Sequence, residues 1–499
     1  MHQPSKYQQD IYDKFNNTDV NINISAVAGS GKTTVLLNLL QFVKKDSNAL
    51  FVAFNNSIVD ELKKRIGVKN NVEISTIHSF GWQAIMKRYG KPKLNQNKVI
   101  AKIEKLFETK DEYKELKERK KGYYFYIVNK IIDLMRCNLT ECTLTAINEL
   151  CERYDLFVGE KEIKIALEVF ALMESDKTQF DFTDMIYQPV VDASIRVRKF
   201  DYVFCDESQD FSLAQQKLIK MCLNRKGRLI TVGDKHQSIY GFAGAEAESY
   251  EKLSKLNGDS EEMPLSVSYR CSRAVVMEAK EIVPEISYSD DAKEGMVIES
   301  NIRDNLQMGD WIICRNLKPL VQTYFWLMKN KIKSKIKGKD IGEGIIGMIN
   351  QTGAKTLGGM WNMLKINRDK LFKKLQERGV RNPSLHPKME LYSQRLEVIE
   401  CLMGEVNNVT QLITLIKNIF SDENKGIILS TIHKSKGLEN DRIFFLCPEL
   451  IPSRFATQDW MIEQEMNLKY VAITRAKSTL IYVSGADFRE DILSTIKIN

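Results

Sequence analysis

The chain of 499 residues lacks any stretch approaching the ~18 uninterrupted apolar residues of a membrane span. Its opening, MHQPSKYQQDIYDKF, has no cationic segment leading into an apolar one. A cytoplasmic protein without membrane partners is therefore expected. Cysteine is scarce and scattered: the nine present form no small-domain framework, which excludes a disulfide scaffold and favours a reduced compartment. Cys137, Cys142 and Cys151 lie close in sequence but lack a fourth ligand and the paired CxxC spacing of zinc modules. There is no low-complexity tract and no periodic repeat. What is present is ordinary folded-protein material, with 43% hydrophobic and 28% charged residues. At ~150 residues per domain, two to four domains are expected. Lys plus Arg exceed Asp plus Glu by 73 to 65, and the resulting net charge of +8 permits a polyanionic partner.

Short apolar runs followed by turns and then helical patterns recur at both ends of the chain: NINISAVAGSGKT, ALFVAFNNS, DYVFCDESQD and RLITVGDKHQ, then GIILSTIHKSKG and DRIFFLCPEL. This alternation predicts an α/β fold with parallel sheets flanked by helices. Between Trp82 and about Phe180 the pattern turns charged and helical, as in KIEKLFETKDEYKELKERKK, and it does so again from about Ile341 to Phe420. Both stretches read as helical insertions. Just before the second, KIKSKIKGK sets Lys331, Lys333, Lys335, Lys337 and Lys339 at alternate positions. On a strand they would share one face, giving a solvated edge strand first and a phosphate contact second.

The run from Ala26 to Thr33, AVAGSGKT, follows a strand-like segment and opens the helical VLLNLLQFV. Gly29 and Gly31 let backbone N–H groups turn around a phosphate, so Ala28, Gly29, Ser30, Gly31, Lys32, Thr33 and Thr34 form a candidate phosphate cradle. Lys32 supplies charge and the Thr33 hydroxyl can ligate Mg2+. Ala26 stands where glycine is usual. In Tyr202–Asp210, YVFCDESQD, Asp206 can hold Mg2+ through water and Glu207 can orient and deprotonate the attacking water. The predicted chemistry is hydrolysis of ATP or GTP.

The motifs AVAGSGKT, LFVAFNNSIVDEL, STIHSF, DFTDMI, FCDESQD, VGDKHQSIYGFAGA, SVSYRCS, STIHKSKGLE and YVAITRAKS, in this order, resemble those of superfamily 1A DNA helicases of the UvrD, PcrA and Rep-like branch. The likeness covers both sheet regions and says little about the insertions. It implies two RecA-like P-loop NTPase domains with helical insertions. Residues 1–82 and 181–265 would form domain 1A around a 1B-like insertion at 83–180. Residues 266–340 and 421–499 would form domain 2A around a reduced 2B-like insertion at 341–420. The resemblance assigns Gln8 to the adenine edge, with Gln9 a neighbouring candidate, and so favours ATP. Asp234 and Gln237 would sense the γ-phosphate, Tyr269 would stack on adenine, and Glu439 would bind the ribose hydroxyl. Arg270 and Arg475 would reach the γ-phosphate and stabilise its transition state. Phe54, Asn55, Thr76, His78, Tyr240 and Phe242 match strand-contacting positions. Phe242-Ala243 stands where the family commonly has tryptophan and arginine, which removes a larger stacking face and a charge.

The implied function is an ATP-driven translocase and helicase on single-stranded DNA, acting at single-strand/duplex junctions in the 3′ to 5′ sense, with ATP in the interdomain cleft. The rivals are an ATP-gated nucleic-acid-binding protein and an RNA motor, since stacking and phosphate contacts do not read the 2′-OH. A repair, replication or defence partner is left unnamed by the residues. No nuclease carboxylate cluster follows AITRAK.

Overall fold

The computed structural model describes residues 4–53, 56–66, 71–113, 121–154, 156, 158–239, 252–253, 255, 258–377, 382–385, 387–420, 426–456 and 458–491. By internal contacts the chain divides into two units, residues 1–27 with 31–266, and residues 28–30 with 267–499. Among the described residues, no helix is long and apolar enough to cross a membrane.

The first unit contains β1 (Asn21–Ala26), β2 (Ala49–Ala53), β3 (Val72–Thr76), β4 (Lys93–Leu94), β5 (Gln179–Phe180), β6 (Phe200–Cys205), β7 (Leu223–Gly233) and β8 (Ser260–Leu265). Six of them form a sheet in the order β3-β2-β6-β7-β1-β8, with every pair parallel. Helices cover both faces, which is why a strand such as ALFVA is apolar and buried throughout its length. The neighbouring strands β6, β7 and β1 all point their C-terminal ends the same way. Cys205 leads into Asp206, Gly233 into Asp234, and Ala26 into the glycine-rich loop. Ligands bind outside these ends in open parallel sheets.

Between β4 and β5 the chain runs through helices at Lys98–Thr109, Lys121–Cys137, Leu144–Arg153 and Glu160–Glu174. They bury a hydrophobic cluster of their own, including Ile103, Phe107, Ile131 and Val169. Both ends of the excursion meet in a two-residue parallel ladder, Lys93 opposite Gln179 and Leu94 opposite Phe180.

The second unit contains β9 (Val267–Ser268), β10 (Ser287–Tyr288), β11 (Met296–Glu299), β12 (Trp311–Cys314), β13 (Ser334–Ile336), β14 (Ile427–Thr431), β15 (Asn440–Leu446) and β16 (Ala476–Val483). Its parallel six-stranded sheet has the order β11-β16-β15-β12-β14-β13. Among the described residues, the helices between β13 and β14, at Lys339–Gln351, Leu357–Glu377, Pro387–Met403 and Val409–Ile419, pack onto the sheet. Their Ile345, Met360, Leu396 and Leu412 join the same cluster as Ile312 and Phe444 of the sheet.

The alternating lysines depart from expectation. β13 is the expected edge strand, but it spans only Ser334–Ile336, so Lys335 is its one lysine. Lys335 donates to Asn418 O at 2.8 Å, Lys337 lies over the Trp311 ring at 5.5 Å, and Lys339 opens the next helix. Lys331 adopts φ 58, which breaks the extended run that would have aligned the five amines.

Candidate active site

The glycine-rich loop, the candidate phosphate cradle, joins β1 to a helix at Lys32–Leu39. Gly29 and Gly31 adopt φ 73 and 81, the left-handed region that a side chain makes costly and that turns successive amides inward. Lys32 Nζ lies 3.4 Å from Glu207 Oε2. The Thr33 hydroxyl donates to Asp206 Oδ2 at 2.8 Å. The two expected Mg2+ ligands therefore adjoin, and their hard oxygen donors suit that ion, which keeps most of its shell as water and phosphate oxygens.

Glu207 itself is held at φ 52, ψ 45, an unfavourable conformation for a residue with a Cβ. Its N–H donates to Asp206 Oδ1 at 2.9 Å, just after the end of β6. A chain of amides continues from there. Gln209 Nε2 donates to Glu207 Oε2 at 2.6 Å, and Gln209 Oε1 accepts from the Asp234 N–H at 3.1 Å. Gln237 Nε2 then donates to Asp234 Oδ2 at 2.7 Å. Gln209 received no role from the sequence, although it sits inside DESQD; its spacing of two from the proposed base was the available signal. Through it, the base and the proposed γ-phosphate sensor belong to one hydrogen-bonded network.

Burial makes this corner electrostatically strained. The Asp206 carboxyl is pushed up to about 6, first by burial and then by Glu207, against the opposing pull of Lys32 and Thr33. Asp234 is also raised, chiefly by burial, while Lys32 and Gln237 oppose it. Both carboxyls feel the Lys32 charge, which opposes the rise that burial imposes on them.

Gln8 accepts from the Ser5 N–H through Oε1 at 3.0 Å, closing a capping box on the helix at Lys6–Asn17. A Cβ on Gly31 would stand 3.5 Å from its Nε2, so the amide lies beside the phosphate loop. Gln9 instead donates to Asp13 on the exposed side of that helix. Thr34 is exposed in the first turn of the following helix, and Ser30 is buried.

In the second unit Arg270, Glu439 and Arg475 come together. Arg270 pairs with Glu439, which also accepts from Lys477 Nζ at 3.0 Å. Arg475 is buried and donates to Leu438 O at 2.8 Å and to Val471 O at 3.0 Å. Val471 lies in the last turn of the Asp459–Ile473 helix, where the helix dipole favours a cation. Burial, then the neighbouring Arg270, lowers the Arg475 pKa to about 10. Tyr269 is 39% exposed, as a ring offered for stacking must be.

Of the proposed strand contacts, Phe54, Asn55, Tyr240 and Phe242 lie outside the described residues. Thr76 is buried and caps the Ile77–Tyr89 helix, accepting from the Ser79 N–H at 3.2 Å. His78, in the first turn of that helix, has its pKa lowered by burial. Beside it stands a residue without an assigned role: the Phe182 ring meets His78 edge-on, with centroids 6.2 Å apart, and is 51% exposed. Its place in DFTDMI was the sequence signal.

Residues 7–257, half of the chain, match the family model of the UvrD/REP helicase N-terminal domain. The chain is 25% identical over 513 residues to F-box DNA helicase protein 1 of Schizosaccharomyces pombe, covering 92% of this chain and 55% of that protein. It is 25% identical over 287 residues to the ATP-dependent DNA helicase PcrA of Bacillus subtilis, covering 53% of this chain and 38% of PcrA. Similarity to the ATP-dependent DNA helicase Rep of Salmonella typhimurium extends over 613 residues at 23% identity, covering 94% and 89% of the two chains. The chain thus spans about half the length, or less, of the first two of these relatives and most of the third.

Proposed function

Because the chain belongs to the UvrD/REP helicase family, whose two RecA-like domains match the two parallel sheets, we propose that it is an Mg2+- and ATP-dependent DNA translocase and helicase. It moves 3′ to 5′ along single-stranded DNA and acts at single-strand/duplex junctions in the cytoplasm, with domains 1A, 1B-like, 2A and a reduced 2B-like insertion divided as the motifs suggest. The single observation that carries this reading is the continuous network from Thr33 through Asp206, Glu207, Gln209 and Asp234 to Gln237.

The residues divide the work. Amides of the phosphate loop and Lys32 bind the β- and γ-phosphates, and Gln8 reads the base. Thr33 and Asp206 would hold Mg2+, which supplies charge stabilisation to the phosphoryl oxygens when bound. Glu207 orients the attacking water and takes its proton. Arg270 and Arg475 stabilise charge that develops on the transferring group, Tyr269 stacks on adenine, and Glu439 accepts from the ribose. Gln237 follows the loss of the γ-phosphate, and Gln209 transmits that event to the base. Strand contact falls to His78 and Phe182, supported by an exposed ring edge-on to an imidazole, and to Phe54, Asn55, Thr76, Tyr240 and Phe242 on the resemblance alone.

The test is steady-state ATP turnover with single-stranded DNA, duplex DNA or RNA, followed by unwinding of duplexes bearing a 3′ or a 5′ tail. Stimulation by single-stranded DNA and opening only from the 3′ tail are expected. Strand binding without stimulated turnover would establish an ATP-gated binder, stimulation by RNA alone an RNA motor, and opening from the 5′ tail the opposite polarity.

A further inference from the structure

Among the described residues of the first unit, two cations far in sequence from the glycine-rich loop are fully buried: Lys98 is 0% and Arg136 is 1% exposed. Lys98 begins one helix of the first insertion, and Arg136 lies in the last turn of another. Both point at the residues just after β5. Lys98 Nζ donates to Asp184 Oδ2 at 2.8 Å. Arg136 Nη1 reaches the two Asp181 oxygens at 2.8 and 2.9 Å and Asp184 Oδ1 at 3.0 Å, while Nη2 reaches Asp133 Oδ1 at 2.7 Å. The carboxylates in turn shape the backbone: the Asp184 N–H donates to Asp181 Oδ1 at 2.8 Å, and the Asp181 N–H to Asp184 Oδ2 at 3.1 Å. Thr183 Oγ1 donates to Asp133 Oδ1 at 3.1 Å. Burial would raise the Asp184 pKa, but Arg136 and then Lys98 bring it below the ordinary carboxylate range, so its pairs stay ionic, whereas Asp181 is raised, chiefly by burial against the pull of Arg136.

Side chains of Asp181, Thr183 and Asp184 are therefore each pinned, and the residue between them, Phe182, is turned outward. Leaving that ring half exposed forgoes the apolar burial it would gain by folding inward. Buried ion pairs add little net stability, because desolvation offsets their attraction, so geometry is what this cluster contributes most. The geometry it fixes is that of Phe182 beside His78.

We propose that Lys98 and Arg136 are positioning residues for nucleic-acid binding: by fixing Asp181, Thr183 and Asp184 they hold Phe182 against His78 as a paired aromatic contact for a single-strand base. Strand affinity is thereby set from inside the helical insertion. The inference rests on the reading of the chain as a single-strand motor.

The experiment measures affinity for a fluorescent oligo-dT by anisotropy on the full chain, together with the KM for ATP in the absence of nucleic acid. Phe182→Ala should weaken oligo-dT binding on the order of 10-fold, as loss of one stacked base does. Arg136→Met should bring a comparable loss, and adding Phe182→Ala to it should cost less than about 2-fold more, since the ring is already displaced. Asp133→Asn, at a side chain 35% exposed, keeps the fold and should weaken binding by about 2-fold only while Phe182 is present. The KM for ATP should not move in Arg136→Met or Asp133→Asn. Losses that multiply in the double variants, or a KM for ATP that worsens in step with strand affinity, would reduce the cluster to plain structural support. If Arg136→Met does not fold, the cycle between Asp133→Asn and Phe182→Ala decides the matter by itself. A wild-type chain that binds no oligo-dT refutes the motor reading; wild-type binding that Phe182→Ala leaves unchanged refutes only this inference.

Discussion

The charged corners of the two units are built in opposite ways. In the first, Asp206, Glu207 and Asp234 gather at the C-terminal ends of β6 and β7 around a single lysine, and burial pushes Asp206 and Asp234 upward. In the second, Arg270, Arg475 and Lys477 gather at the N-terminal ends of β15 and β16 around a single glutamate, and burial pulls Arg475 down. One corner is short of positive charge and the other of negative charge. The buried cluster of Lys98 and Arg136 differs from both, since its cations are matched by Asp133, Asp181 and Asp184 within the protein. In the first two corners burial thus moves a charged group toward neutrality, whereas Asp184 in the third is held ionised by its two cations, as suits scaffolding.

The contrast can be broken at its sharpest point by Arg475→Ala, which should lower the DNA-stimulated kcat by about 10³-fold or more while ATP affinity changes far less, as for a guanidinium acting on transition-state charge. Poor ATP binding with normal hydrolysis of what is bound would make the second corner a ground-state binder. Glu207→Gln comes next: turnover should fall by roughly 10²–10⁴-fold with nucleotide affinity retained, whereas Lys32→Ala should lose affinity. Near-normal turnover in Glu207→Gln would remove the base assignment.

A smaller effect tests the strain. The Asp206 pKa lies above its ordinary 3.8, at about 6, so the folded protein keeps a proton there that the unfolded chain has already released. The resulting penalty grows as pH rises from 3.8 through about 6 and is full at pH 7. Asp206→Asn should therefore stabilise the nucleotide-free protein by ~2–3 kcal/mol at pH 7 and by little near pH 4, while abolishing turnover. Denaturant midpoints at the two pH values measure this; equal gains at both would mean that Asp206 is not raised. Strand affinity of the unmodified chain should in addition fall steeply with salt as phosphate counterions are released. A flat response would count against nucleic-acid binding.

The parallel sheets and the approach of Lys32 and Thr33 to Glu207 and Asp206 were legible in the sequence because local chemistry dictates them. A strand buried on both faces must be apolar, a phosphate loop must have glycine where φ is positive, and carboxylates must follow the strand end. The row of five lysines misled for the complementary reason: alternation states a face only where the backbone is extended, and here only Ser334–Ile336 is. Helices at 341–420 were readable as helices, but not their merger with the sheet's own core, which depends on where Met360 and Leu396 pack. Gln209 and Phe182 sat unremarked inside quoted motifs, since neither residue type declares its partner. The Lys98–Asp184 and Arg136–Asp181 contacts join residues 86 and 45 positions apart, beyond any local pattern.

The ladder of β4 and β5 bears on how the chain could be re-engineered. Since Leu94 and Gln179 belong to neighbouring two-residue strands, the polypeptide between them leaves and returns at nearly one point. Covalently, such an excursion is a detachable module, and a short loop could replace it. Electrostatically it is not, because excision would carry off Lys98, Asp133 and Arg136 and strand Asp181 and Asp184 as bare anions in the remaining interior. A graft or deletion at this junction must therefore exchange those two aspartates for neutral residues in the same step, and any transplanted module must bring its own pair of cations if they are kept.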